Sequence, residues 1–170
     1  VTLENHQTFM LELASTEILK PEEISFEPVT WPYHGPGLAS RKADVTGLDV
    51  CVRKGCVASC GMDRSVRVWN AQERTVELVK FFPTDALCCA LHPSGLHLAV
   101  GFSDKLRLMN LLLDDIVPYS EFSVKHCTSV VFSHGGHLLA AVSTKVVLVY
   151  STYKCKLVAT LRGHHKPVCD

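Results

Sequence analysis

Short apolar runs separated by turn residues recur along most of the chain, and one of them sets the pattern for the rest. Val57-Ala58-Ser59-Cys60 is small and largely apolar, as a strand buried on both faces requires. Gly61 to Ser65 is turn chemistry: Gly61 for an unusual φ, then Asp63 and Ser65 to hydrogen-bond the local backbone. Val66-Arg67-Val68-Trp69 is β-branched and aromatic, a second strand. The same order of run, turn and run returns at Gly101 to Asn110 and again at Val142 to Ser151. Trp69, Met109 and Tyr150 stand at one equivalent position, 40 and then 41 residues apart. A period of about 40–45 residues belongs to propeller blades of four strands each. An ordinary β-sandwich with accidental spacing is the competing reading. Three consecutive units with the same order of strands and turns decide against it.

Taken in order, the pattern predicts three complete four-stranded blades at 45–82, 86–124 and 127–161. In the first, strands are expected at 45–52, 56–61, 66–70 and 77–82. In the second they are expected at 86–91, 96–102, 106–111 and 119–124, with His92-Pro93-Ser94-Gly95 as a turn. In the third they are expected at 128–132, 137–142, 146–151 and 156–161. Residues 1–33 read as the end of a preceding blade, closing on an edge strand at 24–31 that Pro28 keeps out of a sheet interior. Residues 34–44 read as a loop insertion, and 163–170 open the next blade. The fold class is all-β, a partial propeller, and we expect the chain to be a piece of a longer protein.

Composition narrows the function more than the fold. Of 170 residues, 47% are apolar and 20% charged, which is globular rather than disordered composition. Lysine and arginine number 17, as do aspartate and glutamate, so no net field favours nucleic acid or an anionic membrane as partner. No apolar run approaches the ~18 residues a spanning helix needs. The eight cysteines (51, 56, 60, 88, 89, 127, 155 and 169) fall mostly inside apolar strand patterns and make no C-x-x-C pair. They read as reduced core thiols, without zinc spacing.

The run Val57 to Asn70 resembles the central hairpin of a WD repeat, with Asn70 where the Asp of the Trp-Asp pair usually stands. That resemblance implies a structural tetrad of His34, Ser59, Asp63 and Trp69. In it the Asp carboxylate accepts from His, His from Ser, and Ser from the indole N–H. On paper the set resembles a catalytic triad, but Ser59 lies within a buried strand and not on an exposed elbow. The network replaces water for groups otherwise buried unpaired. The second unit keeps Asp104 but has Met109 for Trp, and the third has Thr144-Lys145 at the turn and Tyr150 for Trp. Those two blades are expected to rely on apolar packing alone.

Further runs sharpen the resemblance: Val45-Thr46-Gly47-Leu48-Asp49, Leu91-His92-Pro93-Ser94-Gly95, Asp104 to Leu112 with Asp114-Asp115-Ile116, and Phe132 to Leu138. Together they are similar to the cilia- and flagella-associated protein 57 family, WD-repeat proteins of motile axonemes. The resemblance implies a non-catalytic interaction scaffold that helps place or regulate inner dynein arms, with axonemal proteins as partners. It implies no cofactor, no metal, and a location in the cytoskeleton of the cilium or flagellum. The alternative is a general cytosolic WD scaffold unrelated to cilia.

Two clusters invite chemistry and are better read otherwise. His134 and His137 flank Gly135-Gly136 but have no carboxylate or thiol at ligand spacing, so a wet turn is expected. Asp114-Asp115 is expected to solvate a loop end. One pattern points to a partner: the turn between second and third strands carries a base in each blade, Arg64, Lys105 and Lys145. Such turns open on one rim of a propeller, so the three bases are candidate partner-facing residues.

Overall fold

The computed structural model of the protein describes residues 45–168 apart from residue 74. The expectations for residues 1–44, His34 among them, lie outside the described residues, as do Cys169 and Asp170. Twelve strands form three four-stranded antiparallel sheets. The first sheet holds β1 (Val45–Cys51), β2 (Cys56–Gly61), β3 (Ser65–Asn70) and β4 (Thr75–Phe81). The second holds β5 (Ala86–Leu91), β6 (His97–Phe102), β7 (Leu106–Leu111) and β8 (Ile116–Phe122). The third holds β9 (Cys127–Phe132), β10 (Leu138–Ser143), β11 (Val146–Ser151) and β12 (Lys156–Leu161). Strands pair in chain order within each sheet, and β5 lies against both β1 and β9. The first strands are therefore the inner ones, and the fourth strands the outer edges.

The repeat is visible in the irregularities as well as in the ladders. Each first strand carries one extra residue against its partner: Thr46, Leu87 and Thr128. Each fourth strand does the same, at Glu77, Tyr119 and Val158. A bulge adds local twist and bends the strand. Its recurrence at the same place gives three sheets of one shape, which is what stacking side by side demands.

Two apolar clusters fill the seams between blades. The first joins Ala58, Val66 and Val68 to Leu98, Val100 and Met109. The second joins Leu106, Leu108 and Phe122 to Val130, Leu139 and Tyr150. The second sheet has a neighbour on each side, and its middle strands β6 and β7 are almost wholly buried, whereas β11 in the third sheet is only partly buried and β4 and β8 alternate or expose their residues at the outer edge.

Two expectations are corrected. Gly61 supplies no left-handed turn residue; it is buried in β2 opposite Val45, and the positive φ falls on Arg64 (65°). The fourth strand of the second blade starts at Ile116 and not at residue 119. Pro118 sits inside it, opposite Met109 beside the Tyr119 bulge. An outer strand tolerates proline there because its free edge needs no N–H donor.

Candidate functional site

The turn after β2 brings together the residues that the sequence singled out. Trp69, in β3, donates its indole N–H to Ser59 Oγ of β2 at 2.9 Å, and Ser59 is buried. Asp63 has partners of its own. One carboxylate oxygen accepts from the Ser65 backbone N–H at 3.0 Å, and the Ser65 hydroxyl donates to the same carboxylate at 2.7–2.8 Å. The guanidinium of Arg67 lies 3.6 Å from its second oxygen. Arg67 is itself buried, and also donates to Ser65 Oγ at 3.2 Å. Asp63, Ser65 and Arg67 thus form a closed polar knot at the hairpin tip. Arg67 was missed in the sequence because a charged residue in the second place of an alternating strand reads as solvent-facing.

The second blade uses a more open version. Asp104 stands 3.9 Å from Arg107, which also bonds Glu121 at 3.2 Å, while Lys105 reaches Glu121 at 2.6 Å. Its guanidinium carbon lies 4.7 Å from the centre of the Phe102 ring, a cation–π placement. Lys105 holds the Glu121 carboxyl below the usual carboxylate range. Met109 is fully buried where Trp69 stands in the first blade. Apolar packing alone describes that strand interior but not the turn beside it. The third blade carries Thr144 with φ 54° and its hydroxyl on the Ser143 carbonyl.

The three bases lie in equivalent turns at one end of the sheets. Arg64 bonds Asp85 at 3.0 Å, Lys105 bonds Glu121, and Lys145 is exposed. At the opposite end, Val52, Leu96, Leu113 and Tyr153 expose apolar side chains. Asp115 does not pair with Asp114 for acid–base work. It binds Lys80 of the first blade at 2.8 Å, and that ammonium lowers its carboxyl's proton affinity. His134 and His137 are exposed. Among the described residues no cluster of three or more His, Cys, Asp or Glu is placed to hold a metal ion.

The seams between blades are polar at chosen points. Thr46 donates its hydroxyl to the Ala86 carbonyl at 2.6 Å, and Asp49 accepts from the Leu91 backbone N–H at 2.6 Å. Between the second and third blades, a ring nitrogen of His92 meets the Gly136 carbonyl at 3.1 Å. The imidazole packs edge-on against Phe132, with centroids 5.2 Å apart. Its burial lowers the His92 proton affinity. An acid in an apolar inner strand, Asp49, was the one sequence sign of these contacts.

Repeat length, matching bulges and the Ser59–Trp69 bond together specify one architecture, and a family model for the WD domain, G-beta repeat, matches residues 30–70. The chain is a WD-repeat protein. In the Mus musculus relative, cilia- and flagella-associated protein 57, 159 residues align at 45% identity, covering 94% of the WD-repeat chain and 12% of the relative. Cilia- and flagella-associated protein 57 A of Tetrahymena thermophila aligns at 40% identity over 79% of the chain and 10% of the relative. The WD-repeat chain thus spans about a tenth of the length of the curated relatives it matches. Among solved structures, U3-55K and the WD40 repeats of RRP9 each superpose with a TM-score of 0.65 at 20% identity over 75% of the chain, covering 42% and 41% of their own lengths. These two share its fold.

Proposed function

We propose that this chain is part of a non-catalytic protein-interaction scaffold of the motile cilium or flagellum, a structural component of the axoneme that helps place or regulate inner dynein arms. The observation that carries this reading is the 45% identity, along nearly the whole chain, to a relative named as cilia- and flagella-associated. The architecture supports it: three rigid sheets present their turns at two rims, a form suited to docking other proteins. The partners we propose are axonemal proteins of the inner dynein arm and the doublet microtubule, met at the turn rim of Arg64, Lys105 and Lys145. Asp63, Ser59 and Trp69, with His34, are proposed as the framework that fixes the first of these turns.

Two of the three bases already hold an acid of the same molecule, so their contribution to a partner is chiefly to encounter rate, screened by salt over ~8–10 Å. The test neutralises all three in the full-length protein, as Arg64→Gln, Lys105→Gln and Lys145→Gln. Neutralisation is preferred because a reversed charge at 64 would face Asp85. Reduced incorporation into axonemes, with lower inner-arm occupancy, is the expected result. Normal incorporation and occupancy would move docking to another surface. Absence of the unaltered full-length protein from cilia would overturn the ciliary reading itself.

A further inference from the structure

Two thiols meet across the seam between the second and third blades. Cys88 in β5 and Cys127 in β9 are 39 residues apart in the chain and both buried, with their sulfurs 3.8 Å from each other. The Cys88 S–H also points at the Cys127 carbonyl, at 3.2 Å. Opposite them stands Gly101. A Cβ on that residue would lie 2.5 Å from Cys88 Sγ and 2.8 Å from Cys127 Cβ, so the pair occupies the space that any other side chain would fill. Cys88 borders open space, whereas Cys127 is fully buried. Cys88 lines a hollow of about 700 Å³ on the inner strands, together with Thr46, Thr128 and Val142. That is ample room for a molecule the size of water or peroxide.

We propose that Cys88 and Cys127 are an oxidisable dithiol, closed by hydrogen peroxide into a disulfide that staples the second blade to the third. One thiol takes a peroxide oxygen to become a sulfenic acid and releases water. The sulfur of the other thiol attacks the sulfenic sulfur, and a second water leaves as the S–S bond forms. The two thiols together lose two electrons and two protons, and the peroxide is reduced to two waters. A disulfide needs its sulfurs at ~2.05 Å, so the gap closes by less than ~2 Å. The Cys88 S–H aimed at Cys127 holds the Cys127 thiol below its ordinary value and pushes Cys88 up, which concentrates thiolate character on one member. Cys89 is the next residue along β5 and points to the other side of the strand, so it does not compete for Cys88. Instead its thiol points at the Ala58 carbonyl in the first blade.

The test treats the full-length protein in its folded state with hydrogen peroxide, blocks remaining thiols, and maps peptides by mass spectrometry without reductant. The expected result is a linked pair of peptides containing Cys88 and Cys127, with two thiols lost and both restored by dithiothreitol. Cys60→Ala leaves the link in place, whereas Cys127→Ser removes it. Should Cys127→Ser fail to fold, the mapping of the unaltered protein still decides. A link between any other two cysteines, sulfinic acid without a link, or a link formed only after denaturation would overturn the proposal.

Discussion

Replacing Asp63 by alanine removes the centre of the hairpin knot and leaves its other members in place. Two donors from buried Ser65, its backbone N–H and its hydroxyl, lose their acceptor, at about 1 kcal/mol each. Arg67, whose side chain is only 6% exposed, loses a carboxylate 3.6 Å away. Removing one partner of a buried pair costs about 3–5 kcal/mol in tight geometry, and the longer contact and the remaining Ser65 bond place this case lower. The knot acts as a unit, so the terms overlap, and we expect a total of about 3 kcal/mol. In the second blade Asp104 is 45% exposed and 3.9 Å from Arg107, so Asp104→Ala costs about 0.5 kcal/mol. Amide hydrogen exchange of the full-length protein reads both variants locally. Protection in β2 and β3 should fall on the order of 100-fold in Asp63→Ala, and protection in β6 and β7 should change little in Asp104→Ala. The double variant Asp63→Ala with Arg67→Met should recover part of the loss, because the buried guanidinium that loses this carboxylate is then removed with it. Equal effects of the two single variants would refute the reasoning.

Other outcomes follow from the seams and edges. Gly101→Ala forces a methyl against Cys88 and Cys127 and should cost about 1–3 kcal/mol, seen as a lowered thermal midpoint. Thr144→Ala removes only an exposed local hydroxyl bond and should shift denaturation far less than Asp63→Ala. Burial lowers the proton affinity of His92 in the folded state, so the unfolded chain binds more protons as pH falls. Stability at the second seam is therefore full above the ordinary histidine value of ~6.5 and declines below it, and His92→Gln should flatten that decline in exchange measured between pH 5 and 7.5. Residues 1–170 alone should associate, since β12 presents Leu157, Val158 and Leu161 to solvent. A clean monomer with sharp, concentration-independent unfolding would contradict this.

The blades were legible because their signals are local. Runs such as Leu106 to Leu111 and Val146 to Ser151 alternate or fill apolar positions between turn residues, and β7 and β11 occupy those spans. The outer strand β8 was harder to place. Proline reads as a stop in sequence, and only the free edge of the sheet shows why Pro118 is tolerated. The Ser59–Trp69 bond was implied by the resemblance of that hairpin to a WD repeat. The partners of Asp63 were not, because a charged residue between Val66 and Val68 reads as solvent-facing, whereas Arg67 is buried. Cross-seam contacts such as Thr46 to Ala86 or Cys88 to Cys127 join residues about 40 positions apart, and nothing in the local pattern marks them.

Three of the seam bonds share a property with consequences for how such a chain changes over time. Thr46, Asp49 and His92 each engage the main chain of the next blade, a carbonyl or an amide, rather than a side chain. Every residue type except proline offers both groups. A blade held through Thr46 and Asp49 recognises the path of its neighbour's backbone and is indifferent to much of that neighbour's sequence, whereas the His92 bond also needs glycine at 136, where a Cβ would strike the imidazole. Tryptophan, methionine and tyrosine can then occupy the same station in successive blades without any change to the joint between them. Substitutions can accumulate on one unit alone, and a rim turn can acquire a new binding preference while the stacking of the blades that carries it stays fixed.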